Sequence, residues 1–492
     1  MGNIHFGYIA SEKRVSTRRF ELILAVIYLF TIPLANPWVR GDGVGYYAYA
    51  RAPLIEHSLD FTHDYQFAND SFRTARCDES LKPKPEFRTR TGHLDNHFSV
   101  GPAMLWSPFL VLAHGVVLLA RQFGAKVAAD GFSAPYRFAM ALSTSIYGFL
   151  ALLLSFRVAR RYVDPLWAFI ATLGVWWATS LPVYMYFNPS WSHAHSAFIV
   201  AVFLLYWDAT RQDRTFNQWL MLGVIVGIML DVYYLNVVIL SLLVVEAVKQ
   251  YRQTFASTES TCPSLRRLLI KHAMFGVVVI VVMIPTFASR WVVYGGPLES
   301  GYVPIRDYLW SSPVFWSVLF SSNHGLLAWT PVVIFAVVGL VVFAVRLPEI
   351  GIPFLAAVGT FYVFMSFYPD WAGIASFGNR FFISLTPFWI VGLAFLLNRI
   401  SKFFMHSRRG VAVLSGILTC FVLWNLGLIY QWGTHLVPAR GPVSFREATY
   451  NQFNVVPFQI ASHLRMYFVR RSELMKQIEQ KDINQLTSQP KP

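Results

Sequence analysis

The feature that most constrains this chain is a series of apolar blocks of roughly bilayer-spanning length, each flanked by basic residues. The clearest blocks are residues 22–39, 138–156, 273–287 and 411–430. A membrane-spanning helix needs roughly 17–25 mostly apolar residues, because lipid offers a backbone amide no partner outside its own helix. Hydrophobic residues make up 55% of the 492 residues and charged residues only 14%, whereas a soluble protein carries about a quarter charged residues. The sequence therefore predicts an all-α, polytopic transmembrane protein.

Basic residues outnumber acidic ones by 41 to 26, and the formal net charge is +15. The basic residues lie mainly in short connections between the apolar blocks, as in membrane proteins whose cytoplasmic loops are rich in Lys and Arg. This distribution argues against nucleic-acid binding. The three cysteines are widely spaced and form no metal or redox motif, so we predict no disulfide framework among Cys77, Cys262 and Cys420.

The distribution of charge and apolar residues divides the chain into three regions. Residues 1–19 end in a basic segment, so we expect them in the cytoplasm, with the first apolar block kept as a membrane helix rather than cleaved as a signal peptide. Residues 20–432 form the polytopic domain, in which residues 40–135 form a long extracytoplasmic loop. Residues 433–492 form a C-terminal tail that starts outside, is amphipathic around 455–468 and is disordered at its end.

The block at 101–120 can be placed in two ways. If it spans the membrane, Arg157, Arg160 and Arg161 fall outside, against the positive-inside bias; if it lies in the outer interface, every short basic connection falls inside. We adopt the interfacial placement, which predicts about eleven spanning helices and two interfacial segments, 101–120 and 313–327, or about 11–13 membrane segments in all. The outer face then receives five segments: 40–135, 182–195, 231–236, 291–312 and 369–380.

The first candidate site is the run Arg40-Gly41-Asp42-Gly43-Val44-Gly45-Tyr46-Tyr47, directly after the first apolar block. Its three glycines let the backbone turn tightly and approach a ligand closely, and they leave the Asp42 carboxylate unobstructed. The two tyrosines supply stacking surface and hydroxyl groups. The alternative interpretation is a hydrated turn at a helix end, where Asp is common.

The second candidate is the outer turn 188–195, which leads into a helix and carries His193 and His195. Histidines two positions apart do not share a helix face, which argues against a two-His metal site there. Either ring could still contact a phosphate or carry a proton. The alternative is a pair of interfacial histidines bonded to the backbone.

The third candidate is the turn 369–380, which contains Asp370 and ends at Arg380. An arginine at the start of a helix gains nothing from the helix dipole, whereas its guanidinium binds phosphate through two parallel hydrogen bonds. The alternative is an arginine that reaches into the interface only as an anchor.

The sequence resembles the GT-C superfamily of polytopic glycosyltransferases, and within it the bacterial relatives of protein O-mannosyltransferases and of the aminoarabinose transferase. The residues that carry this resemblance are the Gly-Asp-Gly-x-x-Tyr-Tyr run, Arg51 and the pair Asp60-Phe61, which follow a first helix that leaves the cytoplasm. The resemblance implies a GT-C-like fold and makes Asp42 the catalytic acid of the first loop.

The resemblance also implies roles for residues outside that run. Many members have an Asp-Glu pair where this chain has Gly43, so the role of a second acid would pass to Asp60 or Asp64. His97 lies where members place a contact to the donor phosphate, often a lysine. A histidine of the second candidate turn, His193 or its neighbour two positions on, stands where an acid often lies near the active site.

The predicted function is transfer of a sugar, with inversion, from a polyprenyl-phosphate donor to an acceptor outside the cytoplasm. No nucleotide-binding motif is present, and nucleotide sugars are scarce outside the cytoplasm, so the donor has to arrive through the membrane. A phosphate leaving group needs no strong acid, and we expect Asp42 to suffice as the general base. We expect Arg380, helped by His97 or His193, to bind the donor phosphate. Other polar side chains of the outer face are candidates for contacting the acceptor or the sugar: Tyr46, Tyr47, Asp60, Asp64, His195 and Asp370.

We expect the protein in the plasma or inner membrane, with its N-terminus in the cytoplasm and its active site facing the periplasm or the exterior. The acceptor is a glycan, a lipid or a protein. Apolar grooves between helices would hold the prenyl chain. No metal site is predicted and no cofactor is specified; a divalent metal near Asp42 is compatible with the sequence but is not required by it.

A transporter or flippase of lipid-linked sugars is the main alternative, and a non-catalytic scaffold is a third. Transporters usually show internal repeats and ionisable residues at mid-membrane depth. The acids that come nearest to such residues are Asp231 and Glu246, which we place near opposite ends of one short helix. The strongest polar motifs lie instead at the outer ends of helices, which favours the enzyme.

Overall fold

The computed structural model describes residues 12–212, 214–256, 265–403 and 407–488. Within these ranges the regular structure is helical, apart from two isolated β-bridges in the first loop. The predicted all-α class is confirmed. Cys77 and Cys420 are both free thiols, and Cys262 lies outside the described residues.

The first part of the chain alternates two long helices with short helices of the first loop. In chain order these are α1 (Glu12–Thr31), α2 (Asp42–Arg51), α3 (Thr62–Gln66), α4 (Asp70–Arg76) and α5 (Gly101–Gln122). A short 3₁₀ turn, Ile32–Leu34, ends α1. Residues 35–41 then connect it to α2 without regular structure of their own.

The remaining helices form the bundle and its covering tail. The first half of the bundle consists of α6 (Ala134–Ala159), α7 (Pro165–Trp177), α8 (His193–Thr210), α9 (Phe216–Val232), α10 (Ser241–Ala256), α11 (Leu265–Val282) and α12 (Ile284–Tyr294). The second half consists of α13 (Phe315–Phe320), α14 (Leu326–Trp329), α15 (Val332–Arg346), α16 (Pro348–Phe367), α17 (Thr386–Phe403) and α18 (Arg408–Gly433). The tail consists of α19 (Phe445–Asn454), α20 (Val456–Val469) and α21 (Arg471–Ser488).

Six helical segments among the described residues are long and apolar enough to cross a membrane. They are α5, α6, Tyr234–Ala256 with α10, α16, Arg380–Phe403 with α17, and α18. Helices α11 and α12 are bent by 47° and make a seventh if they form one span, and α7, α9 and α15 are shorter apolar helices. This is fewer than the eleven or so spans expected from the sequence, and three of the apolar helices, α7, α9 and α15, are only 13, 17 and 15 residues long. The chain is a polytopic integral membrane protein.

Helix α17 lies at the centre of the bundle, packed against α6, α7 and α15. Its closest contact uses small residues: a Cβ atom at Gly339 of α15 would lie 1.9 Å from the carbonyl oxygen of Gly392. Glycines at such a crossing let two backbones approach closely, and this is a common way for membrane helices to pack. The central helix is preceded by the turn that begins at Arg380, so this residue has a firmly held support.

Segments that the sequence assigned to one side of the membrane lie together in the structure. At one end, the Trp191 indole donates to the Arg40 carbonyl and the Thr91 hydroxyl to the Val293 carbonyl. At the other end, ion pairs join helices whose ends carry basic residues: Arg157 with Glu21, Arg161 with Asp208, and Lys249 with Glu349. The grouping into two ends agrees with the pattern of basic connections.

The chain before and after α5 contacts the same helix, α2. The Asn96 amide donates to the Gly45 carbonyl at 2.9 Å, and the Tyr47 hydroxyl donates to the Gly131 carbonyl at 2.6 Å. The chain therefore returns to α2 after α5, as an interfacial helix requires. Since α5 is also long enough to cross, its interfacial placement stays a prediction. The second segment placed there, 313–327, holds only the short helices α13 and α14, which cannot cross a bilayer.

Two expectations about the chain are corrected by the structure. The end of the tail was expected to be disordered. As far as residue 488 it is helical: Arg471–Ser488 form helix α21, which packs against α4 of the first loop, and residues 489–492 lie outside the described residues. Asp231 and Glu246 do not share a helix: Asp231 is in the last turn of α9, and Glu246 lies in α10, where it pairs with Arg214 at 2.9 Å. Helix α20 covers the stretch predicted to be amphipathic.

Candidate active site

Asp42 is the first residue of α2, directly after a glycine with a left-handed backbone. Gly41 has φ +55°, a region that residues with a Cβ rarely adopt. This turn ends the connector from α1 and starts α2 at Asp42. The partial positive charge of a helix N-terminus stabilises a carboxylate at this position. The predicted first-loop acid thus belongs to a helix rather than to an open loop.

The other two glycines of the run let α2 pack tightly against the protein itself. A Cβ atom at Gly43 would lie 1.9 Å from the Ser190 hydroxyl oxygen, and one at Gly45 would lie 2.1 Å from the Phe98 ring. The sequence analysis expected these glycines to open the site to a ligand, and in the structure this space is filled by Ser190 and Phe98. The Ser190 contact also explains why this chain has no second acid at position 43: a larger side chain there would require Ser190 to move.

Arg380 is held by a hydrogen-bonded turn before the central helix. The Phe377 amide donates to the Tyr184 hydroxyl at 3.1 Å, and the Asn379 side chain donates to the Trp371 carbonyl at 3.1 Å. The turn continues as the 3₁₀ segment Arg380–Leu385 into α17. Arg380 is therefore placed at the helix start, as the sequence predicted.

Asp42 and Arg380 form an ion pair. One guanidinium nitrogen of Arg380 lies 2.8 Å from one oxygen of Asp42, and the two side chains are 11% and 34% exposed. The Arg380 guanidinium carbon lies 4.3 Å from the centre of the Trp191 ring, in a cation–π contact. Its Nε atom has no hydrogen-bond partner among the described residues. The pair is thus accessible on its acidic side and has an unused donor on its basic side.

Aromatic residues from distant parts of the chain surround this pair. His193 lies against Tyr184 and Tyr233, with ring centres 4.8 Å and 5.6 Å apart. Burial raises the pKa of the Tyr46 hydroxyl. The charge of Asp42 adds to this rise, whereas a hydrogen bond with Ser192 and the charge of Arg380 oppose it. Buried phenols of this kind stay protonated and can donate hydrogen bonds. Tyr46 and His193 therefore lie in the same cluster as the ion pair, and their roles in binding stay predictions.

His97 lies at the edge of this cluster. The centre of its ring is 5.0 Å from that of Tyr302. A hydrogen bond between Tyr302 and Tyr46 in turn opposes the rise in the pKa of Tyr46. His97 Nδ1 is 3.4 Å from a carboxylate oxygen of Asp95. Burial acts to raise the pKa of Asp95, but hydrogen bonds from His97 and Tyr294 outweigh it and hold that pKa below its usual value. Asp95 thus offers His97 a charged partner.

The remaining candidates of the first loop have hydrogen-bond partners within the protein. Both oxygens of Asp64 accept hydrogen bonds from Arg51, at 2.7 Å each. The Tyr47 hydroxyl is occupied by the Gly131 carbonyl. Asp60 accepts from the backbone and hydroxyl of Thr62 and caps the local turn. These contacts stabilise the loop, and Asp60 remains exposed; the catalytic or sugar-binding role of these residues stays a prediction.

Two candidates from other segments stand apart from the ion pair. His195 is fully buried between Trp106 and Tyr147, with ring centres 5.1 Å and 5.3 Å away. It therefore faces α5 and α6. His193, two positions earlier, faces the ion pair instead, because residues two apart on a helix point in different directions. Asp370 is exposed on the turn that precedes Arg380. Its charge acts on the nearby Tyr368, whose pKa is raised first by burial and then by Asp370.

Two residues of the site were not singled out from the sequence. Trp191 stacks on Arg380 and, through its indole, holds the Arg40 carbonyl at 3.0 Å. Arg440 of the tail is partly buried, and burial lowers the pKa of its guanidinium while Asp482 and Asp42 oppose this. In the sequence, Arg440 is marked only by the turn residues Gly441 and Pro442 that follow it, after the last apolar block.

No metal site is formed by the part of the chain that the structure describes: no group of three or more His, Cys, Asp or Glu side chains is placed to hold an ion.

The architecture and this site define a class, that of polytopic membrane proteins with an acid–arginine pair at one end of the bundle. No protein-family model matches the chain, and no curated protein matches it. Among solved structures, it is similar to that of ArnT from Cupriavidus metallidurans bound to undecaprenyl phosphate, with 14% sequence identity and a TM-score of 0.47. The similarity covers 84% of this chain and 70% of ArnT. Similarity at this level does not establish a family.

Proposed function

We propose that this protein is a GT-C-type membrane glycosyltransferase that transfers a hexose or pentose from a polyprenyl-phosphate donor to an acceptor outside the cytoplasm. The observation that carries the proposal is the pair Asp42–Arg380, at 2.8 Å. It places a carboxylate able to take a proton beside a cation able to bind a phosphate, at one end of an apolar bundle. A reaction in which an acceptor loses a proton while a phosphate leaves uses both groups, the base on one face of the sugar carbon that is attacked and the cation on the other.

In the proposed reaction the acceptor hydroxyl or amine attacks the anomeric carbon on the face opposite the phosphate. The new bond forms as the bond from that carbon to the phosphate oxygen breaks, so the anomeric configuration inverts. The acceptor proton goes to Asp42, and the electron pair of the broken bond goes to the phosphate, which leaves as polyprenyl phosphate.

The ion pair couples the two halves of this step. When Asp42 takes the proton it loses its negative charge and its hold on Arg380. At the same moment the leaving phosphate gains negative charge, and the guanidinium can bind it instead. The cation is already desolvated by Trp191, so its interaction with the phosphate is stronger than it would be in water.

The aromatic cluster is proposed to hold the sugar. Buried tyrosines such as Tyr46 offer both a flat apolar face and a hydroxyl donor, which suits the mixed surface of a pyranose ring. His193 and His97 supply further polar groups at the site and at its edge. The prenyl chain would lie in grooves between the apolar helices.

The direct test is transfer by the purified protein in detergent. The protein is incubated with a panel of synthetic short-chain polyprenyl-phosphate hexoses and pentoses and with an extract of cell-envelope acceptors, and release of polyprenyl phosphate is measured by mass spectrometry. We expect acceptor-dependent release with at least one donor. Failure with the whole panel, together with movement of a lipid-linked sugar across proteoliposomes, would establish the transporter instead.

The orientation of the site is a separate proposal, supported by the basic connections at the opposite end of the bundle. A reporter fused after Arg161 should read as cytoplasmic, and one fused after Gly301 should read as external. An external reading after Arg161 would mean that α5 spans the membrane, and the sides of the downstream segments would then have to be reassigned.

A further inference from the structure

The C-terminal helix α21 lies on the first loop and presents two acidic side chains to it. Glu479 and Asp482 are three residues apart and therefore share one face of the helix. Glu479, which is 6% exposed, accepts hydrogen bonds from the Ser71 amide at 2.5 Å and from the Asn69 side chain at 2.9 Å. Asp482 pairs with Arg40 at 2.5 Å and with His435 at 2.9 Å. Both carboxylates are thus bound in the interface between tail and loop.

Each of these contacts continues to the active site through one more residue. The Asn69 side-chain oxygen accepts from the amide of Gly41, the residue before Asp42, at 3.1 Å. Asn69 thereby links Glu479 to the turn that starts α2. The Arg40 carbonyl accepts from the indole of Trp191, and that ring supports Arg380 at 4.3 Å. One chain of contacts ends at the base, and the other ends beneath the cation.

The tail also holds the connector that carries Asp42. Arg471 donates to the carbonyls of Pro33 and Ala35, both at 2.8 Å, and the Tyr467 hydroxyl donates to the Leu34 carbonyl at 2.6 Å. These carbonyls have no helical partners because α1 has ended. The position of Asp42 is therefore set at both ends of the connector by residues of α20 and α21.

Buried charges point to positioning rather than to attachment alone. A helix that only had to adhere to the loop could do so through apolar side chains, and the desolvation of carboxylates in a contact is costly unless each is paired. Here Asp482 pairs with Arg40, and Glu479 is linked through Asn69 to Gly41. Arg40 and Gly41 are the two residues that directly precede Asp42. A misplacement of about 1 Å at a catalytic group can lower turnover by about 100-fold.

We propose that Asp482 and Glu479 of the C-terminal helix are positioning residues of the active site, which hold Arg40 and Gly41 so that Asp42 faces Arg380. This inference rests on the proposed function, in which Asp42 is the general base. The tail segment is then a required part of the enzyme.

The test compares turnover and KM for the donor in full-length variants. Asp482→Ala should lower kcat by about 10-fold or more while the KM for the donor changes little, because the donor does not touch α21. Asn69→Ala, which removes the link between Glu479 and Gly41, should act in the same direction. Asp482→Asn keeps an acceptor oxygen and should recover part of the loss. Glu473→Gln is the matched control, since Glu473 lies on the same helix, is 58% exposed and pairs with Arg470 of the tail.

A double variant separates positioning from general destabilisation. In an Asp42→Asn background the base is already absent, so Asp482→Ala should cause no further loss of kcat. An equal loss in both backgrounds, or wild-type kcat for both Asp482→Ala and Asn69→Ala, would overturn the proposal about the tail. Full activity of Asp42→Asn alone would overturn the proposed function instead. If Asp482→Ala does not fold, Asn69→Ala and Asp482→Asn decide by the same criteria.

Discussion

Two Asp–Arg pairs of the same chain differ in almost every respect. Asp64 and Arg51 are 2% and 1% exposed and are joined by two hydrogen bonds of 2.7 Å, and a third partner, Glu56, lies 2.8 Å from the guanidinium. Asp42 and Arg380 are 34% and 11% exposed and meet through a single contact of 2.8 Å. The groups of the Asp64–Arg51 pair are already engaged in hydrogen bonds within the protein. The Asp42–Arg380 pair has a partly exposed carboxylate and an Nε donor without a partner among the described residues.

The difference shows what each pair is suited to do. A bidentate pair with full burial fixes one geometry, and its charges cannot be used elsewhere without leaving an unpaired ion in the interior. A single contact at a helix start can be exchanged for a contact to a ligand. We therefore expect the Arg51 pair to contribute to stability and the Arg380 pair to contribute to turnover, and each prediction below tests one side of this division.

The largest expected effect is that of Asp42→Asn on turnover. The amide keeps the size and shape of the side chain but cannot accept a proton at neutral pH. Loss of a general base typically lowers the rate by about 10²–10⁴-fold, or about 3–5 kcal/mol of barrier. The measurement is donor consumption by the purified variant, with its melting temperature as the control. A folded Asp42→Asn protein with undiminished turnover would remove Asp42 from catalysis.

Asp64→Asn should produce the reverse pattern. The substitution leaves the buried Arg51 guanidinium without its bidentate partner, and breaking a buried ion pair on one side costs about 3–5 kcal/mol of folding stability. The kcat of the protein that remains folded should stay close to the wild-type value. Thermal unfolding and active-site-normalised turnover are measured together. Wild-type stability combined with lost turnover would mean that Asp64, despite its partners, takes part in the reaction.

The sequence was sufficient to predict the helical class, the grouping of segments at two ends and the placement of Arg380 at a helix start. These features follow from apolar length, basic connections and turn residues, all of which are local. The partners of Asp64 and Tyr47 could not be predicted, because a polar side chain looks the same in a sequence whether or not a distant residue satisfies it. The helical tail was missed for a similar reason: α21 is polar, and its order depends on contacts with Arg40 and Asn69 that no local pattern reveals.

Substitutions at Arg380 test the contribution of the cation in the Asp42–Arg380 pair. Arg380→Ala should reduce turnover by about 10²–10³-fold, the usual effect of removing one donor from a site of developing negative charge. Arg380→Lys should restore only part of the loss, because an ammonium group cannot reproduce a two-pronged contact with phosphate and stacks less well on Trp191. Wild-type kinetics in both variants would show that Arg380 is an anchor in the interface.

The pair Asp482–Arg40 lies between the two extremes, with side chains 13% and 17% exposed, and it gives the smallest predicted effect. Burial acts to raise the pKa of Asp482, but Arg40, then His435 and Arg440, outweigh it and hold that pKa below its usual value. A carboxyl whose pKa is lower in the folded than in the unfolded state stabilises the fold above its unfolded pKa, and this stabilisation is lost as pH falls through the folded pKa. For a partly exposed pair the contribution is about 1 kcal/mol. The melting temperatures of the wild type and of Asp482→Asn should therefore differ at pH 7 and converge as the pH is lowered below about 4. A difference that persists unchanged to pH 3 would mean that the Asp482 charge does not hold the tail on the loop, and the pair would then belong with neither the structural nor the open class.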